Sequence, residues 1–175
     1  MGKIQKSIPV KLFAGIISNS KEALIEAENH LKRMLGAIDF ESPVIDFGFT
    51  DYYDNEMGRP LFRKWVTFEK PEEAEKLPLI KIETNSLEGA LSVSGKRRVN
   101  IDPGYITLSK VVLASTKDFS HRICLSKGIY GEVTLIFKQK VFTFLPWTYP
   151  DYKSETALKF FSEIRNILHK RSDIP

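Results

Sequence analysis

Three apolar runs of strand length in the second half of the chain, His121 to Ser126, Ile129 to Phe137 and Val141 to Leu145, limit the possible folds most tightly. They are joined only by Lys127-Gly128 and by Lys138 to Lys140. A parallel crossover needs a dozen or more residues, so these neighbours must pair antiparallel through hairpins. Helical patterns elsewhere then place the chain in the α+β class. The expectation is a single domain over residues 1–175, a mixed, largely antiparallel sheet with about three helices packed on it.

VKLFAGII, residues 10–17, is a continuous apolar run and reads as a buried first strand. Asn19, with Glu22 three residues on, has the form of a helix cap. Ala23, Leu24, Ala27, Leu31, Met34 and Leu35 then recur at helical spacing until Gly36 ends the pattern. His30 sits at the edge of this apolar face, where a packed histidine is the expectation. Strand-like runs follow at Val44 to Phe49 and Phe62 to Phe68, around the acidic, aromatic loop TDYYDNEMGR. Pro78 opens a second helix, with Leu79, Ile82, Leu87, Ala90 and Leu91 as its stripe. Arg98 to Asp102 reads as a strand, Ile106 to Ser115 is ambiguous, and Ser154 caps a last helix from Glu155 to about Lys170.

No stretch approaches the roughly 18–20 consecutive apolar residues of a membrane span. The first eleven residues carry Lys3, Lys6 and Lys11 but no apolar leader core, so secretion is not expected. A single cysteine, Cys124, can found neither an internal disulfide nor a zinc site; it reads as a small buried side chain in a reducing, cytoplasmic compartment. Residues 96–140 hold nine Lys or Arg against Asp102, Asp118 and Glu132, in a chain of net charge +4. Such asymmetry suits an anionic partner, and a solvated strand face gives the same count.

The polar residues between 97 and 123 carry the best site. Asp102-Pro103-Gly104-Tyr105 has the composition of a type II turn, so the preceding strand should stop there with Asn100 and Asp102 on one side at its end. Downstream, Ser115-Thr116-Lys117-Asp118 echoes a guanine-reading motif, but the Asp follows the Lys directly and no G-x-x-x-x-G-K-[ST] loop exists. A P-loop GTPase is thereby excluded, while nucleotide binding in another geometry stays open. With Lys127-Gly128 as a two-residue turn, Leu125 lies opposite Tyr130, Ile123 opposite Glu132 and His121 opposite Thr134. His121 and Glu132 then become diagonal neighbours, a pair that can raise an imidazole pKa for acid–base work or serve as an ordinary sheet contact.

Asp51, Asp54 and Glu56 lack the alternating ligands of an EF-hand, and a solvated acidic loop with no metal is expected. Tyr52, Tyr53 and the segment Pro146 to Tyr152 bring aromatics that can stack on bases or plug a sheet edge. None of the three histidines begins an H-x-[ST] pair, which excludes the two-histidine phosphoesterases, and there is no G-x-S-x-G elbow.

The blocks VKLFAGI, TDYYDNEMG, RRVNIDPGY, LSKVVLASTKD, SHRICLSKGIYGEVTL and LPWTYPDY occur in that order over nearly the whole chain. Together they resemble the prokaryotic domain-of-unknown-function family 4416. The resemblance implies a cytoplasmic bacterial or archaeal protein, and it brings the GTP-binding label given to some members. The expectation from the residues is a site for a nucleotide or other phosphorylated small molecule. Asn100, Asp102, Lys110, Lys117, His121 and Arg122 would make it, with Asp51 and Tyr52 from the acidic loop. Cations would hold the phosphate, and Asn or Asp the polar remainder. The alternatives are an RNA-binding module on the basic 96–140 region and a protein-interaction scaffold. The residues specify no catalytic set and no cofactor.

Overall fold

Every residue of the first strand, β1 (Lys11–Ser18), is buried, including those of both alternating sets, so the strand must be covered on both faces. The structure is a computed structural model that describes residues 2–3 and 7–172. After β1 come helix α1 (Lys21–Leu35), β2 (Ile38–Glu41), β3 (Ile45–Asp46), the single turn α2 (Asp54–Met57), β4 (Phe62–Phe68) and α3 (Leu77–Ala90). The second half supplies β5 (Val99–Ile106), β6 (Lys110–Ser115), β7 (Ile123–Ser126), β8 (Ile129–Lys138), β9 (Val141–Phe144) and α4 (Glu155–Ser172). The nine strands form one sheet in the order β2-β4-β1-β5-β6-β8-β7, with β3 beside β4 and β9 beside β8. Among the described residues every strand pair is antiparallel, so the fold is α+β.

The two faces of β1 explain the layers. Leu12, Ala14 and Ile16 pack with Val66 and Phe68 of β4 against Ala23, Leu24 and Leu31 of α1 and Ile80 and Leu87 of α3. Phe13 on the opposite face joins Trp65, Leu113, Leu135 and the α4 residues Ala157, Phe160, Phe161 and Ile164. The sheet is thus sandwiched, with α1 and α3 on one side and α4 on the other.

Several expectations are corrected. The cap of α1 is Ser20, whose Oγ accepts from the Ala23 N–H at 3.1 Å, while the Asn19 amide donates to the Met57 carbonyl at 3.1 Å. The run at 44–49 yields only β3, and β2 forms ahead of it. Asp102-Pro103-Gly104-Tyr105 is not a turn: β5 continues to Ile106, with Pro103 opposite Ala14 and Gly104 opposite Phe13. A Cβ on Gly104 would lie 2.3 Å from the Val112 carbonyl oxygen and 2.6 Å from the Phe13 ring, so close packing rather than a turn requires this glycine. Pro103 is tolerated because β6 pairs with β5 only from Gly104 onward, leaving that stretch without a strand neighbour on one side among the described residues.

The β7–β8 turn does use Lys127 and Gly128, both at positive φ (52° and 74°). Its register differs, since Cys124 lies opposite Tyr130 and Ile123 opposite Gly131, with a bulge at Leu125. Cys124 is exposed rather than buried, because all four residues of edge strand β7 face outward to some degree.

Candidate functional site

A gap in the sheet creates the site. β5 and β6 pair only through Gly104–Ile106 and Val111–Leu113. Beyond that point Ala114 and Ser115 stay with β8, while residues 99–103 stay with β1. Among the described residues Ile101 has no strand on that side, and side chains of α3 take its place. Glu88 Oε1 accepts from the Ile101 N–H at 2.8 Å, and Lys81 Nζ donates to the Ile101 carbonyl at 2.8 Å. Lys81, Thr84 and Glu88 are three and four residues apart, so one helical face delivers them all. Burial raises the Glu88 pKa, against the opposing pull of Lys81.

The parted strands open a cleft of about 590 Å³, a volume suited to a small ligand. Phe47, Phe49, Tyr52 and Tyr53 line it together with Ser115 to Lys117 and Tyr149 to Tyr152. Asn100, Asp102, Lys81, Asn85 and Glu88 form the floor, which reaches through the sheet to α3.

Under the floor lies Arg63 of β4, with no exposed side-chain surface. Its guanidinium carbon is 4.7 Å from the Trp65 ring centre and 5.1 Å from that of Tyr152. Its nitrogens reach Asp151 at 3.0 Å and Asp102 at 3.5 Å. Gly15 of β1 leaves the space, for a Cβ there would stand 2.6 Å from Arg63 Nη2. Burial opposes the charge of Arg63, but the neighbouring Tyr152, Asp151 and Asp102 raise its pKa. Burial likewise raises the Asp151 pKa, against the pull of Arg63.

Arg97 braces the same floor. It donates to both oxygens of Glu56 at 2.7 Å, to Glu88 Oε2 at 2.8 Å and to Asn100 Oδ1 at 3.0 Å. With its oxygen held by Arg97, the Asn100 amide turns its N–H toward Asp102 Oδ2, 3.0 Å away. At the mouth, Lys117 Nζ donates to the Tyr52 hydroxyl at 2.9 Å and stands 4.4 Å from that ring's centre. Arg122 donates to Glu132 at 2.7 Å, to the Tyr149 hydroxyl at 2.7 Å and to the Lys117 carbonyl at 3.0 Å.

Of the residues singled out in the sequence, Tyr52, Asn100, Asp102, Lys117 and Arg122 line this one cleft. His121 stands outside the lining, 3.2 Å from Glu132 and stacked on Trp147 at 5.1 Å between ring centres. The His121–Glu132 contact therefore forms even though the hairpin register differs. Asp51 is exposed beside the mouth, and Lys110 lies at the far end of β6 opposite Ile136, so neither belongs to the lining. The acidic loop is held by arginines, Asp54 by Arg59 and Glu56 by Arg97. No group of three or more His, Cys, Asp or Glu among the described residues could hold a metal.

The reading of the sequence missed Arg63, Lys81, Glu88, Arg97 and Asp151. Arg63 had a signal, a charge inside the strand-like run FRKWVTF. Lys81 and Glu88, seven residues apart on a helix, had another.

The basic excess of 96–140 is dispersed. Arg97, Arg98 and Arg122 are ion-paired with glutamates. Lys127 and Lys138 flank opposite ends of β8, about 30 Å apart at the rise of a strand. Trp147 Nε1 donates to the Val133 carbonyl at 2.9 Å and Thr148 Oγ1 to the Thr134 carbonyl at 2.6 Å, filling the β8 edge between β7 and β9. These bonds fit the plug reading of the Pro146 to Tyr152 segment.

The fold and the cleft define an α+β protein whose antiparallel sheet parts around a hollow of ligand size. No helix among the described residues is long and apolar enough to cross a membrane. The chain belongs to the family described as domain of unknown function (DUF4416), whose model matches residues 8–168. No curated protein and no solved structure matches it.

Proposed function

We propose that the cleft binds a small phosphorylated molecule of the nucleotide class, in the cytoplasm. One observation carries the reading. Of the four cations that line the cleft, Lys81, Arg97 and Arg122 each stand within 4.0 Å of a carboxylate, whereas Lys117 has no carboxylate partner among the described residues. An unneutralised cation at the mouth of a ligand-sized hollow favours an anionic group. Phe49, Tyr52 and Tyr149 expose aromatic surface in the same lining, which suits a planar ring.

The test is a thermal-shift screen of the full chain with mono-, di- and triphosphates of the four ribonucleosides and with inorganic phosphate, followed by calorimetry. A nucleotide is expected to raise the melting temperature, and Lys117→Ala to weaken its binding about tenfold or more. A flat response to every nucleotide overturns the reading.

A further inference from the structure

Four carboxylates line the cleft, and they are not equivalent. Glu88 is 6% exposed, and its two oxygens accept from the Ile101 N–H and from Arg97. Glu132 is 1% exposed, and its oxygens are engaged by Arg122, His121 and the Thr134 hydroxyl. Asp151 is 7% exposed and faces Arg63. Asp102 is 28% exposed. Its Oδ2 accepts from Asn100 at 3.0 Å and faces Arg63 at 3.5 Å, while its Oδ1, with Lys81 Nζ 3.8 Å away, accepts no hydrogen bond among the described residues.

Asp102 thus presents one open acceptor oxygen to the cleft, just as Lys117 presents one cation without a carboxylate. Beside it on α3, the Asn85 amide also lines the cleft and makes no hydrogen bond among the described residues. An ionised carboxylate oxygen can only accept, so whatever meets it must donate. The oxygen is fixed in place, because Arg63 beneath and Asn100 beside it, itself held by Arg97, leave the carboxylate little freedom to turn.

From this, and resting on the reading of the cleft given above, we infer that Asp102 determines specificity. The ligand carries, besides its anion, an N–H or O–H donor that Asp102 Oδ1 accepts. Arg63 and Asn100 act as positioning residues. The donor can be the exocyclic amine of a base or a hydroxyl of a sugar, and both share this chemistry.

The experiment is calorimetry on the full chain with adenosine 5′-monophosphate, its N6,N6-dimethyl derivative, its 2′,3′-di-O-methyl derivative and inorganic phosphate. Blocking the donor that meets Asp102 is expected to weaken binding about tenfold or more, and the derivative that suffers identifies amine or hydroxyl. In Asp102→Asn the amide oxygen takes the place that Arg63 and Asn100 donate to and turns its NH2 toward the ligand, so the parent and that derivative should bind within about twofold of each other, whereas Lys117→Ala should weaken both alike and keep their ratio. The comparison of ligands needs no variant, so it decides the matter even if Asp102→Asn does not fold. Equal binding of the parent and both blocked derivatives overturns this inference and leaves the cleft reading standing. So does a blocked derivative that Asp102→Asn still discriminates against. If none of the four probes binds, the inference falls, and the cleft reading falls with it only if the wider nucleotide screen is flat as well.

Discussion

Gly15 and Arg63 form a single packing unit, one residue lacking a side chain so that the other can lie flat between Trp65 and Tyr152. Gly15→Ala would put a methyl group 2.6 Å from Arg63 Nη2 and 2.8 Å from the Tyr152 hydroxyl, in a core where neither has open space. We expect a loss of about 1–3 kcal/mol, the usual cost of overpacking, read as a lower urea midpoint with an unchanged slope.

Asp39 offers a test of pH dependence at the same scale. Burial works to raise its pKa, but hydrogen bonds from Lys11 and Thr67 lower it below the ordinary 3.8. A carboxylate with a lowered folded pKa contributes stability that is full above its unfolded value and is lost as pH falls through the folded one. Asp39→Asn should therefore be about 1–3 kcal/mol less stable than the parent chain at pH 7, since it leaves the buried Lys11 poorly paired. The gap should narrow below pH 3.8, as urea titrations at pH 7, 5 and 3 would show. A gap that stays constant down to pH 3 would count against the assignment.

Among the elements, α3 is the one whose task is least visible in its sequence. The apolar spacing points to Leu79 and Ile82 as inward residues, yet both are exposed; Leu87 of that stripe is buried, and with it the helix buries Leu77, Ile80, Lys81, Thr84 and Glu88. A charge is ordinarily counted as outward-facing, because its burial depends on partners that only the tertiary structure supplies. Here the partner is the bare backbone of Ile101. Its amide proton should consequently exchange slowly in the parent chain, quickly in Glu88→Ala, and slowly again in Glu88→Gln, which keeps an acceptor. Hydrogen exchange followed by NMR would show it, and slow exchange in the alanine variant would contradict the role given to Glu88.

Elements with a strong pattern were legible: β1 from its unbroken apolar run, β4 from Phe62 to Phe68, and α4 from Ser154 and its spaced apolar residues. The sequence also placed five of eight candidate residues in one lining, since Asn100 and Asp102 share a strand face and Lys117 and Arg122 follow the next strand. What stayed hidden depended on register or on distant contacts. A single bulge at Leu125 shifts the β7 pairing, and a proline-glycine pair that resembles a turn is carried straight through β5 by close packing against Phe13.

At the scale of the whole molecule, one sheet joins a core covered on both faces to an outer end around β7, β8 and β9, where Ile123, Val141 and Phe144 are exposed. The chain's two tryptophans report on these regions separately. Trp65 is fully buried under α4, and Trp147 sits at the outer end with 38% exposure. Because every strand belongs to a continuous ladder, unfolding should be one cooperative event. Fluorescence of Trp65→Phe and Trp147→Phe should then each give the same midpoint as circular dichroism of that variant. An earlier transition reported by Trp147 alone would show that the outer end melts first.

The gap between β5 and β6 has a mechanical corollary. A helix on one side of the sheet supplies the base of a hollow that opens on the other, so any tilt of α3 reshapes a recess whose mouth it never approaches. An occupant gripped between Tyr52, Lys117 and the α3 side chains would brace both layers together, and the filled molecule would resist shear that the empty one permits.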